Sequence, residues 1–492
     1  MVIMKTYRYF FFAFCAIAAV SCSKANEYSV VSENSGQGEF SASLETNGSS
    51  LETSGTRTTL SEGQNVLWAE NDAINVFAGS DVKRYALATE SAGSANGTFR
   101  GDPVSADIYY ALYPYQAGAS IDQGVISFEI PAKQDAVAGS FDGKAAAAVA
   151  KSATSSLAFK NVGSLLEFEI TRDDITSVTL SSTCHEPLAG KVKVAFDGNG
   201  FPVVSEVTEP EDTITIALPS GVKYFAKGKY YAVVLPGTFE KSFTATFTSL
   251  EDYSFDAECK AYPGTARRVG TKSYDLARNI VVPLGQVDKD LAWYYRKIGL
   301  GVHNESTYNQ FIDFQTGMTH RAVNAYLYCD VLDMGNWYNN GFALMSVKGN
   351  NACPTVYNTD NLKTAYGEGN YGPDNGPVKK WPTTLTTRFR YTTGKDDAWF
   401  ESFTTTDQLS ADELIAPAWG NPDKATAKDP RIVTANINAN KTKYILFKTN
   451  TSASDQQYDR FGIIKILSAT GTTGKKCLII DYVIGKKGED WE

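Results

Sequence analysis

Few residues in this 492-residue chain stand at spacings that could do chemistry. Asp330, Asp333 and Glu368 are the carboxylates closest to a hydrolytic set, because glycoside hydrolysis needs only two acids at a suitable separation. Acids are so common in this chain that any such pair reads first as solvated surface. The three histidines, His185, His303 and His320, are too far apart in sequence for metal-ligand spacing. Asp197-Gly198-Asn199-Gly200 resembles the start of a calcium loop but lacks the acidic ligands that should follow. The same residues favour positive φ, and a hairpin turn is the better reading. The sequence contains no nucleophile elbow, zinc-protease helix or phosphate loop. A non-enzymatic protein without a cofactor or metal is expected.

Binding chemistry is better represented. Trp337-Tyr338-Asn339-Asn340 and the run from Tyr366 through Gly369 and Tyr371 place aromatics beside amides and acids in expected loops. Flat aromatic faces next to hydrogen-bonding groups suit sugar rings. Trp337, Tyr366, Tyr371 and Trp381 are therefore candidate polysaccharide contacts, with burial in a core as the alternative. Trp293, Trp399 and Trp491 read as core.

The first two dozen residues speak to location. Lys5 and Arg8 precede an apolar run over residues 9–20 that ends in Ala19-Val20-Ser21-Cys22. A basic start, a short hydrophobic core and small residues before a cut describe a secretory leader at 1–21. The run is shorter than the about 20 residues of a membrane-spanning helix. Cys22 has the placement of a bacterial lipoprotein cysteine, so lipid attachment at Cys22 is expected, and a plain secreted protein is the alternative. Residues 22–38, rich in Ser, Asn, Glu and Gly, read as a flexible spacer. The formal charge is −9 with no basic stretch, which argues against nucleic acid as a partner and leaves the lipid as the contact with the membrane. Five cysteines remain beyond Cys22, at 184, 259, 329, 353 and 477. An odd number without pattern reads as mostly free thiols, with one disulfide left open in an oxidising compartment.

The elements that would position these residues are short and β-like. Val125-Ile126-Ser127-Phe128-Glu129-Ile130, residues 165–170 and residues 243–247 alternate bulky and polar side chains, which predicts half-buried strands. Residues 191–196 predict another, closed by the Asp197 turn. Trp68 and Phe77 flank the polar Glu70-Asn71-Asp72, which predicts a hairpin with both aromatics turned inward. Beyond a polar link at 286–290 the chain carries six of its seven tryptophans, a loop-like stretch at 349–382, a short helix at 410–416 capped by Ser410 with Glu413, and strands at 444–447, 462–467 and 478–484.

Several of these segments carry a resemblance. Phe40-Ser41-Ala42-Ser43-Leu44-Glu45, then Thr56-Arg57-Thr58-Thr59-Leu60, then Val66-Leu67-Trp68 through Ile74-Asn75-Val76-Phe77, resemble the opening of fimbrillin-like surface lipoproteins of Bacteroides-type bacteria. Ser156 through Leu166 is similar to the start of that family's second sandwich, and Tyr230 through Gly237 to one of its late strands. The resemblance covers about residues 39–283. It implies a first strand that can be cut away after an arginine, here Arg57, leaving a groove that a neighbouring subunit's strand fills. The bland alternative is that Arg57 is an ordinary loop residue.

The expected fold is mainly β: tandem β-sandwich domains at 39–155 and 156–285, with an additional β-rich C-terminal domain with long loops at 286–492. The expected function is a non-enzymatic fimbrillin-like structural, accessory or tip subunit of a fimbria, lipid-anchored at the outer membrane surface and acting in adhesion. Its partners would be other fimbrial subunits or a surface ligand. The alternative is a glycan-binding surface lipoprotein that holds polysaccharide with its C-terminal aromatics.

Overall fold

The computed structural model describes residues 37–45, 67–250, 259–303, 307–338, 342–347, 357, 360, 363, 387–392, 394–410, 432–435, 443–450, 459–470 and 476–485. It is mainly β, as the alternating runs predict. The expected strands all appear: Val125–Ile130, Ser164–Ile170, Phe243–Ser249, Ala189–Phe196, Tyr444–Asn450, Asp459–Thr470 and Cys477–Gly485. The Asp197 turn joins Ala189–Phe196 to Pro202–Glu211 as an antiparallel hairpin. The Asp197 carboxylate accepts from the N–H groups of Asn199 at 2.9 Å and Phe201 at 2.8 Å, and Gly200 takes φ 75°. A side chain that bonds its own turn in this way is the usual reason for Asp at such a position.

The N-terminal unit is a closed barrel. Its strands run in the order Gly38–Leu44, Ser156–Asn161, Ala148–Ser152, Tyr109–Tyr113, Ala73–Ala78, Asp81–Leu87 and Asn96–Gly101, which returns to the first. Alternation turns Phe40, Ala42, Ile74, Val76, Phe99 and Leu157 into one core with Trp68 at its centre. Trp68 meets Phe99 and Tyr113 edge-on at 5.0 and 5.1 Å between ring centroids. It does so from a segment that is not a strand, before a turn in which Asn71 has φ 71°. The expected inward pair is therefore corrected. Trp68 fills the barrel, whereas Phe77, odd in register to Ile74 and Val76, faces the opposite way into the large core outside it.

Sheet pairing crosses the expected boundaries. Ser156–Asn161 pairs with Gly38–Leu44 and Ala148–Ser152, so the chain leaves the barrel at Val162-Gly163 rather than ahead of Ser156. Val125–Ile130 leaves the barrel too and pairs with Ala189–Phe196. A ten-stranded sheet then runs from Arg388–Tyr391 through Tyr444–Asn450, Asp459–Thr470, Cys477–Gly485 and Ala292–Gly301 to Gly264–Val269, Phe243–Ser249, Ile175–Ser182, Thr213–Ala217 and Lys133–Asp135. The C-terminal region thus continues a sheet of the middle region, and one apolar cluster extends from Phe77 to Ile484.

Two local readings are corrected. The polar link at 286–290 is no spacer, because Asp288 is fully buried and bonded to Thr171 and Arg172. Ser410 lies within a short helix described over Thr406–Ser410, so it does not stand as the cap before one. The Gln408 side-chain oxygen accepts from the N–H groups of Thr404 at 2.6 Å and Thr405 at 3.0 Å, so the start signal lies at Thr405. Residues 411–416 lie outside the described residues.

Candidate functional site: the seat of the first strand

Strand Gly38–Leu44 occupies a slot between two partners. It runs antiparallel to Asn96–Gly101, with Phe40 opposite Phe99, and parallel to Ser156–Asn161, with Leu44 opposite Phe159. Inward Phe40 is nearly perpendicular to the rings of Tyr85 and Tyr109, at 5.1 and 5.0 Å. Ala42 is buried beside it, while Ser41 and Ser43 face away. The slot takes a bulky apolar side chain, then a small one, at alternate positions.

Both ends of the strand carry ion pairs, of different kinds. At its start Glu39 meets Arg100 at 3.1 Å on the exposed surface, where such a pair contributes little. At its end Glu45 is largely buried. The Arg278 guanidinium donates to both oxygens of the Glu45 carboxylate, at 2.7 and 2.9 Å, and to the Asn161 carbonyl at 3.2 Å. The Asn161 N–H donates to the same carboxylate at 3.0 Å, and the Glu45 N–H to the Phe159 carbonyl at 3.0 Å. Two parallel bonds from one fork are the strong form of this interaction.

Arg278 is held for this task. It lies in the turn between Tyr274–Leu276 and Val281–Gln286, where Asn279 has φ 59° and donates its N–H to the Gly163 carbonyl at 2.8 Å. Its guanidinium lies over the Phe201 ring at 4.6 Å. Lys160 lies over that ring at 3.7 Å and donates to the Gly200 carbonyl at 3.0 Å. The Asp197 turn therefore has a structural consequence: it presents Phe201 to Arg278. Neither Glu45 as a ligand nor Arg278 is legible in the sequence, because 233 residues separate them.

The other sequence-derived candidates fall elsewhere. Trp337 lies on strand Met334–Tyr338 rather than in a loop, opposite Ala343, and is half-buried against the cluster of Phe311, Leu332 and Met345. Tyr366, Tyr371, Trp381, Arg57 and Cys22 lie outside the described residues. Trp293 is buried, whereas Trp399 is half-buried against Phe403 and Tyr444. Trp491 also lies outside.

The acids differ in setting. Asp330 is exposed, Asp333 is fully buried, and Glu368 lies outside the described residues. Burial, then the charge of Asp313, pushes the Asp333 carboxyl well above the usual range. Asp333 accepts from the Phe314 N–H at 2.7 Å and from the Thr449 hydroxyl. Among the described residues no three His, Cys, Asp or Glu side chains gather as a metal would require. Also among them, no helix is long and apolar enough to cross a membrane. Cys184, Cys259, Cys329 and Cys477 form no disulfide.

No family model and no curated protein matches this chain. Among solved structures the chain is similar to a candidate cell adhesion protein of Bacteroides ovatus, at 16% identity and a TM-score of 0.26, over 44% of this chain and 82% of that one. It is also similar to a candidate cell adhesion protein of Bacteroides eggerthii, at 11% identity and a TM-score of 0.24, over 51% of this chain and 88% of that one.

Proposed function

We propose that this chain is a non-enzymatic, fimbrillin-like cell-surface protein, a structural or accessory subunit acting in adhesion, whose first strand is the replaceable part. It would be tethered at the outer membrane through lipid on Cys22, with the residues between Cys22 and the first strand as spacer. The observation that supports this best is the seat of Gly38–Leu44. A strand with barrel neighbours on both sides offers a full set of main-chain hydrogen bonds and alternating pockets to whatever occupies its place. The segment that follows, 46–66, contains Arg57 with small and polar neighbours, a composition a protease can enter. Cutting there would sever the covalent link of this strand to the rest of the barrel.

The test cleaves the whole chain within 46–66 and follows its size by light scattering and negative-stain microscopy. Rods or ladders after cleavage, and none before, are expected. Folded monomers in both states would remove assembly from the reading.

A further inference from the structure

We infer that Arg278 selects the strand that can replace Gly38–Leu44, by requiring a carboxylate at the position of Glu45. This rests on the strand-replacement reading above. The slot itself is apolar and would accept many alternating sequences, so specificity must come from a polar group at its margin. Arg278 is that group. It stays in place without the first strand, because its contacts to the Asn161 carbonyl and the Phe201 ring come from residues that remain. Its fork is therefore pre-organised for an incoming carboxylate, which lowers the ordering cost of binding.

Arg278 also reads register. In the parallel pairing, Leu44 stands opposite Phe159, and the carboxylate follows one residue later. A slip by one residue would turn the apolar side chains away from the barrel and carry the acid away from the fork. The partner that fits is an extended segment of another polypeptide with a bulky apolar residue, a small one two positions on, and an Asp or Glu three positions beyond that. Phe40, Ala42 and Glu45 are this pattern in the present occupant.

The experiment nicks the whole chain within 46–66, using an inserted protease site if Arg57 resists. A labelled peptide of residues 37–45 with an amidated C-terminus, so that the Glu45 side chain is the carboxylate at that position, is then added alongside its Glu45→Gln form. Dissociation of the Gln peptide at least about tenfold faster is expected from losing a charged, bidentate bond. The difference should vanish in Arg278→Gln, and Arg278→Lys, which keeps charge without the fork, should restore only part of it. Equal dissociation of both peptides, with the peptide entering the slot, would overturn selection by Arg278 and leave strand replacement standing. Entry of neither peptide would overturn both.

Discussion

Asp288 and Thr171, 117 residues apart, are joined by bonds from the Thr171 N–H and hydroxyl to one buried carboxylate. The Arg172 N–H adds a further donor at 3.0 Å. This carboxylate pins the segment that passes from the strand Val281–Gln286 into the C-terminal part of the ten-stranded sheet.

Asp288→Ala leaves buried donors without an acceptor, and a loss of about 1–3 kcal/mol is expected. Asp288→Asn should fall between the two, because its amide N–H group opposes backbone donors. Urea unfolding of the three proteins checks the order. Equal stabilities would mean the segment is held by its apolar neighbours alone.

Asp333 predicts a pH dependence of definite sign. Its folded carboxyl holds a proton that the unfolded chain releases near the ordinary value, because burial and Asp313 raise it. This group's contribution is present in full below the unfolded value and is lost as pH rises through the higher folded value. Asp333→Asn keeps an acceptor but cannot ionise. The fall in stability as pH rises above the ordinary carboxylate range should therefore be shallower in the variant than in the parent. Thermal melts over that rise in pH check it, and identical slopes would contradict it.

Gly97 lies where the barrel wall touches Trp68. A Cβ there would come within 2.8 Å of the indole and of the Leu87 side chain. Gly97→Ala is expected to destabilise by about 1–3 kcal/mol through overpacking. Urea unfolding of the variant beside the parent checks it, and equal midpoints would contradict it.

Trp337→Ala should behave as a packing variant. The side chain is half-buried on a strand, so a stability loss of roughly 1–3 kcal/mol is expected from lost apolar burial. Retardation in polysaccharide-containing gels should be unchanged. Loss of retardation with unchanged stability would instead favour the glycan-binding alternative.

The limits of the sequence have a physical pattern. Strands with one buried face, such as Val125–Ile130 and Phe243–Ser249, announce themselves by period two, and the Asp197 turn by its residue types. Partner choice leaves no such trace. Val125–Ile130 looks the same whether it joins the barrel or, as it does, Ala189–Phe196. Alternation also hides the division of Phe77 from Val76, since both are apolar and only register assigns them to different cores. Ser410 with Glu413 and Thr405 with Gln408 carry the same capping spacing, and spacing alone does not show that Gln408 accepts from the Thr404 and Thr405 N–H groups. Arg278 reads as an ordinary turn residue until the fold brings Glu45 to it.

The most direct test of strand replacement locks the first strand in place. Ser41 and Ser156 are register partners across the parallel pair, so Ser41→Cys with Ser156→Cys can tie the strand to its neighbour. After cleavage within 46–66, the oxidised, locked protein should stay monomeric by light scattering, and reduction should release assembly. Assembly of equal extent and rate with the lock closed would contradict the account, because the subunits would then be joining without vacating the seat of Gly38–Leu44.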